Sequence, residues 1–368
     1  MLTSPRSPGV ARNSMRILLY GSNAPAQDAS VISISMGLRK AYQNLGHTLE
    51  VLVQRGRESD LRSRARDNHR RLLSLLPRID FVHWWTAGCW NAVTWGGWEA
   101  CRKMGVPVGV MFEDYFPDKG IRFPKGLSHA AGLGGLLDVS RFVAAVSRPA
   151  ASRLANDFPG HARRIRVVPY GFDPDEIALA RVGPQRQRAF ILCVARLAPY
   201  KGIDVLLMAF RNLCDADQKA ELVICGRDYE RGHYQRLARL LRVEGRVRFL
   251  GNVPRRRVMR LMRRCLFFVF PSRVESFGMA ALEAQAHGKA VVATRSGGPE
   301  AFVRHGVSGL VVPPNDPAAL ARAMLKLLRD EPLRRSLESR AEAAAADFTW
   351  ERSARRYLAL IRASINIR

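Results

Sequence analysis

Short apolar runs alternate along the chain with longer stretches of helical periodicity. The first run, at 17–20, ends in turn residues, as is typical of a buried parallel strand. Apolar residues then recur at helical spacing between Val31 and Leu45, and Gly46 is placed to end that helix. A second apolar run at 49–53 follows. The pattern predicts a β-α-β unit at the start of the fold.

The same alternation predicts two α/β domains. Further apolar runs at 81–83, 106–111, 142–146 and 167–169 complete a first domain, residues 15–172. Pro174, Pro184 and several charges indicate a linker at 173–188. Six more runs predict a second domain at 189–347, with strands at 189–194, 221–225, 247–250, 266–270, 290–293 and 309–312. Residues 1–14 are expected to form a disordered tail, and 348–368 a C-terminal helix.

Composition limits the class of protein. The 368 residues are 47% hydrophobic, which is enough for a sizeable core. No apolar run approaches the roughly 18 to 20 residues that span a bilayer. Lys and Arg total 59 against 32 Asp and Glu, a net charge of +27. This excess predicts an anionic partner, which could be nucleic acid, anionic lipid or a phosphorylated substrate.

Neither the cysteines nor the paired aspartates favour a metal site. The six cysteines are scattered without metal-ligand spacing, so reduced thiols in a cytosolic protein are expected. Asp173 with Asp175, and Asp215 with Asp217, have a D-x-D form that can bind a metal ion. A linker and a helix-end turn explain these pairs better, so no metal is expected.

Two segments carry the candidate chemistry. In residues 268–284, a strand ends at Pro271, a loop carries Glu275, and a helix begins around Phe277 and Gly278. A helix start beside glycine suits a phosphate, and Glu275 and Glu283 could accept hydrogen bonds from hydroxyl groups. A solvated glutamate beside an ordinary helix is the alternative.

The second segment follows the first strand of the second domain. It places Arg196 and Lys201 in a loop before a helix, where two cations would form an anion clamp. Surface charges in an arginine-rich chain are the alternative.

Taken in order, the motifs resemble family 4 of the retaining glycosyltransferases, which have the GT-B fold. The resemblance covers about residues 189–316 and is carried by Arg196-x4-Lys201-Gly202, Gly226, Pro271-Ser272, Glu275-x7-Glu283, Gly297-Gly298-x-Glu300 and Gly309-Leu310-x-Val312-Pro313. It implies two Rossmann-like domains facing each other across a cleft, and a last helix, starting near Trp350, that crosses back to the first domain.

The resemblance also implies roles for individual residues. Arg196 and Lys201 would hold the diphosphate of a UDP-, GDP- or ADP-sugar, Glu275 would face the sugar, and Glu283 would bind the ribose. The donor would also lie against Gly226, Ser276, Phe277, Gly278 and Met279. Retention by front-face attack needs no protein nucleophile, and the cationic clamp would replace a divalent ion.

The first domain departs from the family at two places. Where the family often has a His-Asp pair, this chain has Glu113 and Asp114, and Glu113 is a candidate replacement for the catalytic histidine. The family's glycine-rich first loop, near the acceptor, keeps only Gly21 here. Trp84 and Trp85 follow a strand, so they could line the cleft and stack on an acceptor sugar, whereas Trp95 and Trp98 are expected to pack a helix.

Two clusters of arginines offer a hypothesis about where the acceptor is bound. Seven arginines lie between Arg55 and Arg71, and six between Arg255 and Arg264. They are either ordinary solvated positions or a basic surface for an anionic membrane that carries the acceptor.

The leading hypothesis is a retaining, metal-independent glycosyltransferase of cell-envelope glycan or lipopolysaccharide assembly, cytoplasmic and peripheral on the inner membrane. It would transfer sugar to a glycan or lipid-linked hydroxyl. A transferase for a small soluble acceptor is the alternative, and a basic nucleic-acid-binding protein is a more distant one that no motif supports.

Overall fold

The computed structural model describes residues 14–21, 29–53, 69–86, 92–113, 129–181, 190–217 and 219–365. Within these ranges, two six-stranded sheets and their helices confirm the predicted α/β class. The predicted tail lies almost entirely outside the described residues, and so does most of the arginine cluster between Arg55 and Arg71.

The first sheet is built around β1. Its strands are β1 (Arg16–Gly21), β2 (Thr48–Val53), β3 (Phe81–Thr86), β4 (Val108–Phe112), β5 (Val143–Ala145) and β6 (Ile165–Val167). Their order is β2-β1-β3-β4-β5-β6, and β1 pairs in parallel with both β2 and β3. Residues 17–19 have no exposed surface, which explains why the sequence is continuously apolar there rather than alternating.

The helices of the first half follow the strands as predicted. They are α1 (Ala29–Asn44), α2 (residues 69–75), α3 (Ala92–Lys103), α4 (His129–Val139), α5 (Arg148–Asp157) and α6 (Pro174–Arg181). The last of these, α6, lies within residues 173–188, for which the sequence predicted a linker. The side chain of Asp173 accepts a hydrogen bond from the backbone N–H of Asp175 at 3.0 Å, which favours a helix start at this point.

In the second sheet, the strand that comes first in the sequence lies near the middle of the sheet. Its strands are β7 (Phe190–Val194), β8 (Glu221–Cys225), β9 (Val247–Phe249), β10 (Phe267–Phe270), β11 (Val291–Thr294) and β12 (Gly309–Val312). The order is β12-β11-β10-β7-β8-β9, and the neighbours of β7, namely β8 and β10, are both parallel to it. The chain therefore continues from β7 to β8 and β9 on one side of the sheet, and then to β10, β11 and β12 on the other side of β7.

Seven helices accompany this sheet among the described residues. They are α7 (Ile203–Ala216), α8 (His233–Leu240), α9 (Arg255–Arg264), α10 (Met279–Ala286), α11 (Pro317–Arg329), α12 (Glu331–Ala345) and α13 (Trp350–Ile365). The apolar face of α7 explains its position, since Leu206, Ala209 and Phe210 are completely buried in the core of this sheet. No helix within the described ranges is long and apolar enough to span a membrane.

The chain divides into two compact units. The first contains the described residues up to Met111, those of 129–143, and the end of α13 from Leu358. The second contains Phe112, Glu113 and the described residues from Ala144 to Tyr357. The helix α13 thus starts in the second unit and ends in the first, where Arg362 lies 3.5 Å from the ring of His47. The predicted domain limits stay a prediction, because sheet order assigns β5 and β6 to the first sheet whereas compactness assigns residues 144–172 to the second unit.

Candidate functional site

The strand order locates the site at the carboxyl ends of β7 and β10. In an open parallel sheet, ligands bind where connections from neighbouring strands diverge, and in the second sheet this occurs between β7 and β10. The loop after β7 carries Arg196 and Lys201, and the loop after β10 carries Glu275. The topology therefore brings together the two segments that the sequence singled out.

Lys201 and Glu275 form a nearly buried ion pair. Lys201 Nζ lies 2.5 Å from Glu275 Oε2, and the two side chains are only 11% and 12% exposed. Burial lowers the pKa of Lys201, but Glu275 and Tyr200 together raise it, and the net shift is upward, so Lys201 stays protonated. The Lys201 ammonium also lies 5.0 Å from the ring centre of Tyr200, and the Arg196 guanidinium lies 5.7 Å from the same ring. Both predicted cations therefore lie around one aromatic ring.

The two loops are in direct contact at Gly202. Its φ is +64°, and a Cβ there would lie 2.1 Å from the carbonyl oxygen of Pro271, so only glycine fits without displacing the backbone. Arg273 also joins the loops, because its guanidinium forms a two-pronged ion pair with Asp204 at 2.9 and 2.6 Å. Its backbone N–H donates to the carbonyl of Tyr200 at 2.8 Å. These contacts hold the loop that carries Lys201 against the loop that carries Glu275.

The first turn of α10 faces the same site. Gly278 precedes the helix with φ +94°, and no side chain caps this end. A Cβ on Gly278 would lie 3.6 Å from Cγ of Glu275, so the helix start and the ion pair are adjacent. The backbone N–H groups of an uncapped first turn, together with the helix dipole, favour an anion there. The geometry combines a buried cation with a helix N-terminus, which suits phosphate oxygens.

Glu283 lies one turn further along α10 and is also buried. Its side chain is 6% exposed, and its Oε1 accepts a hydrogen bond from Arg255 Nη2 at 2.9 Å. Burial raises the pKa of Glu283 above the ordinary value, although Arg255 opposes this effect. Glu275 and Glu283 therefore differ in their cationic partners, one bound by a lysine and the other by an arginine.

The remaining predicted donor residues belong to the same unit. Gly226 follows β8, and its N–H donates to the carbonyl of Gly251 at 2.8 Å. Ser276 and Met279 flank the start of α10, with Ser276 buried and Met279 half-buried. The ring of Phe277 packs against Tyr170, Phe302 and Phe348, so its side chain is part of an aromatic core. Any ligand contact of Phe277 is therefore restricted to its backbone.

The residues that were predicted to lie on the acceptor side belong to the first half of the chain. Gly21 ends β1 beside β3, which is the point where connections diverge in the first sheet, and residues 22–28 lie outside the described ranges. Trp84 and Trp85 are 0% and 1% exposed, and Trp84 packs edge-on against Tyr20 with ring centres 4.6 Å apart. This corrects the stacking hypothesis, because a fully buried indole presents no face to a sugar. Glu113 is half-buried directly after β4, and Asp114 lies outside the described ranges.

The paired aspartates serve local structure. Asp215 pairs with Arg211 at 2.8 Å, and the carboxylate of Asp217 accepts a hydrogen bond from the N–H of Lys219. Among the described residues, no group of three or more His, Cys, Asp or Glu could hold a metal ion.

Five cysteines within the described ranges are free and buried, and burial raises the pKa of Cys225 to about 11.

Two site arginines were missed in the sequence. Arg273 lies in a highlighted segment, but its partner Asp204 is 69 positions away. Arg255 belongs to a run of arginines, and its separations from Glu176 and Glu283 are 79 and 28 positions. No local periodicity links such distant residues, so only the fold could reveal these ion pairs.

Comparison with known proteins relates much of the chain to glycosyltransferases. Residues 176–344 match the family model described as glycosyl transferases group 1. A D-inositol 3-phosphate glycosyltransferase of Corynebacterium jeikeium is 39% identical over 207 residues, which cover 52% of this chain and 49% of the relative. The same enzyme of Salinispora arenicola is 30% identical over 298 residues, covering 74% of this chain and 65% of the relative. The chain thus spans about half to two thirds of these relatives.

Solved structures match over nearly the whole chain. A glycosyltransferase of Rickettsia africae has a TM-score of 0.77 at 19% identity, covering 97% of this chain and 100% of the other. Anabaena HepE, solved with UDP and glucose, has a TM-score of 0.74 at 19% identity, with 95% and 100% covered. Sucrose-phosphate synthase of Thermosynechococcus elongatus has a TM-score of 0.77, also at 19% identity, with 96% and 100% covered. The chain therefore has the GT-B fold of solved glycosyltransferases, and its residues 176–344 match the group 1 glycosyltransferase family.

Proposed function

We propose that this protein is a glycosyltransferase that moves a sugar from a nucleoside diphosphate sugar to an acceptor hydroxyl. The observation that carries the proposal is the buried Lys201–Glu275 ion pair beside the uncapped start of α10, at the carboxyl ends of β7 and β10. A match to the group 1 family over residues 176–344 supports it. The solved HepE complex, which has the same fold, contains UDP and glucose.

The proposed mechanism assigns leaving-group stabilisation to the protein. Negative charge develops on the nucleoside diphosphate as the glycosidic bond breaks, and Arg196, Lys201 and the N–H groups of Gly278 and Met279 would stabilise it. Since Lys201 is protonated and fixed by Glu275, its charge is in place before the reaction. Glu275 would then face the sugar, and Glu283 the ribose hydroxyls.

Retention and metal independence are further parts of the proposal. With no protein nucleophile, the leaving phosphate would accept the acceptor's proton on the same face of the sugar. The cationic pair would supply the charge that a divalent ion supplies in other transferases. The proposed donor is a UDP-, GDP- or ADP-sugar, with no cofactor.

Calorimetry with UDP, GDP and ADP tests the donor site. We expect one of them to bind equally well in magnesium and in EDTA, and Arg196→Ala to weaken binding at least about tenfold. Arg239→Ala is a matched control, because Arg239 is an exposed arginine of α8. If no nucleotide binds to the wild-type protein, the proposal fails. Binding of nucleic acid alone would instead support the basic-protein alternative.

For the acceptor, we propose a glycan or lipid-linked hydroxyl of the cell envelope, reached from the cytoplasmic face of the membrane. The supporting feature is a basic pocket of about 240 Å³ between α9 and the second sheet, lined by Phe190, Val223, Arg248, Leu250, Arg257, Arg260, Leu261 and Arg264. None of its four arginines is ion-paired within the described part of the chain. Such a pocket suits an anionic headgroup above an apolar floor.

Vesicle sedimentation tests this membrane role. Arg257→Gln/Arg260→Gln should lose binding to vesicles of phosphatidylcholine and phosphatidylglycerol, whereas the control Arg239→Gln/Arg322→Gln, which changes exposed arginines elsewhere, should keep it. Binding should weaken as salt rises. Equal binding of both variants would remove the pocket from the proposal.

A small phosphorylated acceptor is the second candidate. The curated relatives are named D-inositol 3-phosphate glycosyltransferases, and their name is the observation that supports this second candidate. Assays with donor plus inositol phosphate, against donor plus membrane extract, distinguish the two. Transfer to inositol phosphate without vesicle binding would select the soluble acceptor.

A further inference from the structure

Arg255 differs from the other arginines of α9 because it bridges two carboxylates. Its Nη2 donates to Glu283 Oε1 at 2.9 Å and to Glu176 Oε2 at 2.6 Å, while its Nε lies 3.0 Å from both oxygens of Glu176. The three residues come from α9, α10 and α6. One guanidinium therefore links three helices of the second unit.

The two carboxylates are in unequal surroundings. The side chain of Glu283 is 6% exposed, whereas that of Glu176 is 38% exposed and that of Arg255 is 32% exposed. Burial raises the pKa of Glu283, and the charge and hydrogen bond of Arg255 lower it again. Arg255 therefore favours the ionised form of Glu283, while Glu176 is more exposed and holds the guanidinium in place.

The bond from Arg255 also fixes the direction of Glu283. Within the described ranges, it is Oε1 of Glu283 that accepts the hydrogen bond of Arg255. A carboxylate accepts through two oxygens, so Oε2 remains available to a ligand. A carboxylate held in this way is a stronger and better-aimed acceptor for a hydroxyl than a freely rotating one.

We infer that Arg255 is a positioning residue for nucleotide binding, which directs Glu283 toward the ribose hydroxyls, and that Glu176 anchors Arg255 in this task. The inference rests on the proposed function. It assigns α6 a part in the donor site, although the sequence indicated only a linker there.

The test compares each nucleotide with its analogue lacking the ribose hydroxyls. UDP, GDP and ADP, and their 2′,3′-dideoxy forms, are titrated into the 368-residue chain, and the ratio of the two dissociation constants is the readout. In the wild type we expect a ratio of about tenfold or more, since hydrogen bonds to a charged group are strong. In Arg255→Met the ratio should fall to about threefold or less.

Matched variants separate positioning from folding. Arg256→Met changes the neighbouring exposed arginine of α9 and should keep the wild-type ratio. Glu176→Gln should lower the ratio partly, because Arg255 keeps its bond to Glu283 but loses its anchor. A partly unfolded preparation reduces the number of sites for both ligands equally, so it leaves the ratio unchanged.

The outcomes are distinguishable. If no nucleotide binds to the wild-type protein, the proposed function fails together with the inference. If nucleotides bind and Arg255→Met keeps the wild-type ratio, the inference is overturned and the proposed function stands. A wild-type ratio near one would also overturn it, because Glu283 would then not contact the ribose hydroxyls.

Discussion

The ion pair between Lys201 and Glu275 allows a sharp test of the site's electrostatics. Lys201→Met removes the positive charge but keeps an unbranched side chain of similar length. Glu275 is then left as a carboxylate whose side chain is 12% exposed. Lys201→Met/Glu275→Gln removes both charges together.

The expected magnitudes follow from burial. At 2.5 Å, the gross Coulomb attraction is about 7 kcal/mol at an effective dielectric constant of about 20, and removal of the two charges from water offsets much of it. The intact pair therefore contributes little net stability. Breaking a buried pair from one side costs about 3 to 5 kcal/mol, so we expect Lys201→Met to lower the free energy of unfolding by about 3 kcal/mol. The double variant should recover most of that loss.

Urea unfolding followed by circular dichroism measures these differences. Lys326→Met is the control, because Lys326 is an exposed lysine of α11, and its effect should stay within about 0.5 kcal/mol. In parallel, both charge-removing variants should lose affinity for the nucleoside diphosphate, since neither retains the cation. A cost below about 0.5 kcal/mol for Lys201→Met, or full nucleotide affinity in the double variant, would refute the reasoning.

Two further predictions concern the contact between the loops. Gly202→Ala should destabilise the protein by more than about 1 kcal/mol, because the new Cβ would lie 2.1 Å from the carbonyl oxygen of Pro271. Gly245→Ala is the control in the same urea assay, because a Cβ there would have nothing within 4 Å. Equal losses of stability in the two variants would contradict the contact between Gly202 and Pro271. Burial raises the pKa of Asp204, but Arg273 and the backbone N–H groups of Val205 and Asp204 together lower it, and the net pKa is below the ordinary value of 3.8. The stabilisation that depends on the ionised carboxylate is therefore present above pH 3.8 and is lost as the pH falls through the folded-state pKa. The difference in melting temperature between wild type and Asp204→Asn should therefore be largest near neutral pH and shrink below pH 3.8, and a difference independent of pH would contradict this assignment.

The sequence by itself determined the class of fold and the segments that carry the site. Continuous apolar runs such as 17–20 and 266–270 predicted buried parallel strands because both faces of a central strand are covered. Since ligands bind beyond the carboxyl ends of such strands, the loops with Lys201 and Glu275 could be selected before their contact was known. Local spacing also predicted a helix start at Gly278, which the structure confirms.

Tertiary structure alone decided which side chains meet. The sequence suggested an acceptor role for Trp84, whereas its complete burial and its packing against Tyr20 place it in the core. Likewise, Arg255 of α9 lies between the carboxylates of Glu176 and Glu283, whereas the next residue, Arg256, is exposed. Periodicity specifies the face of an element on which a residue lies, but contacts between residues distant in sequence depend on how the helices pack.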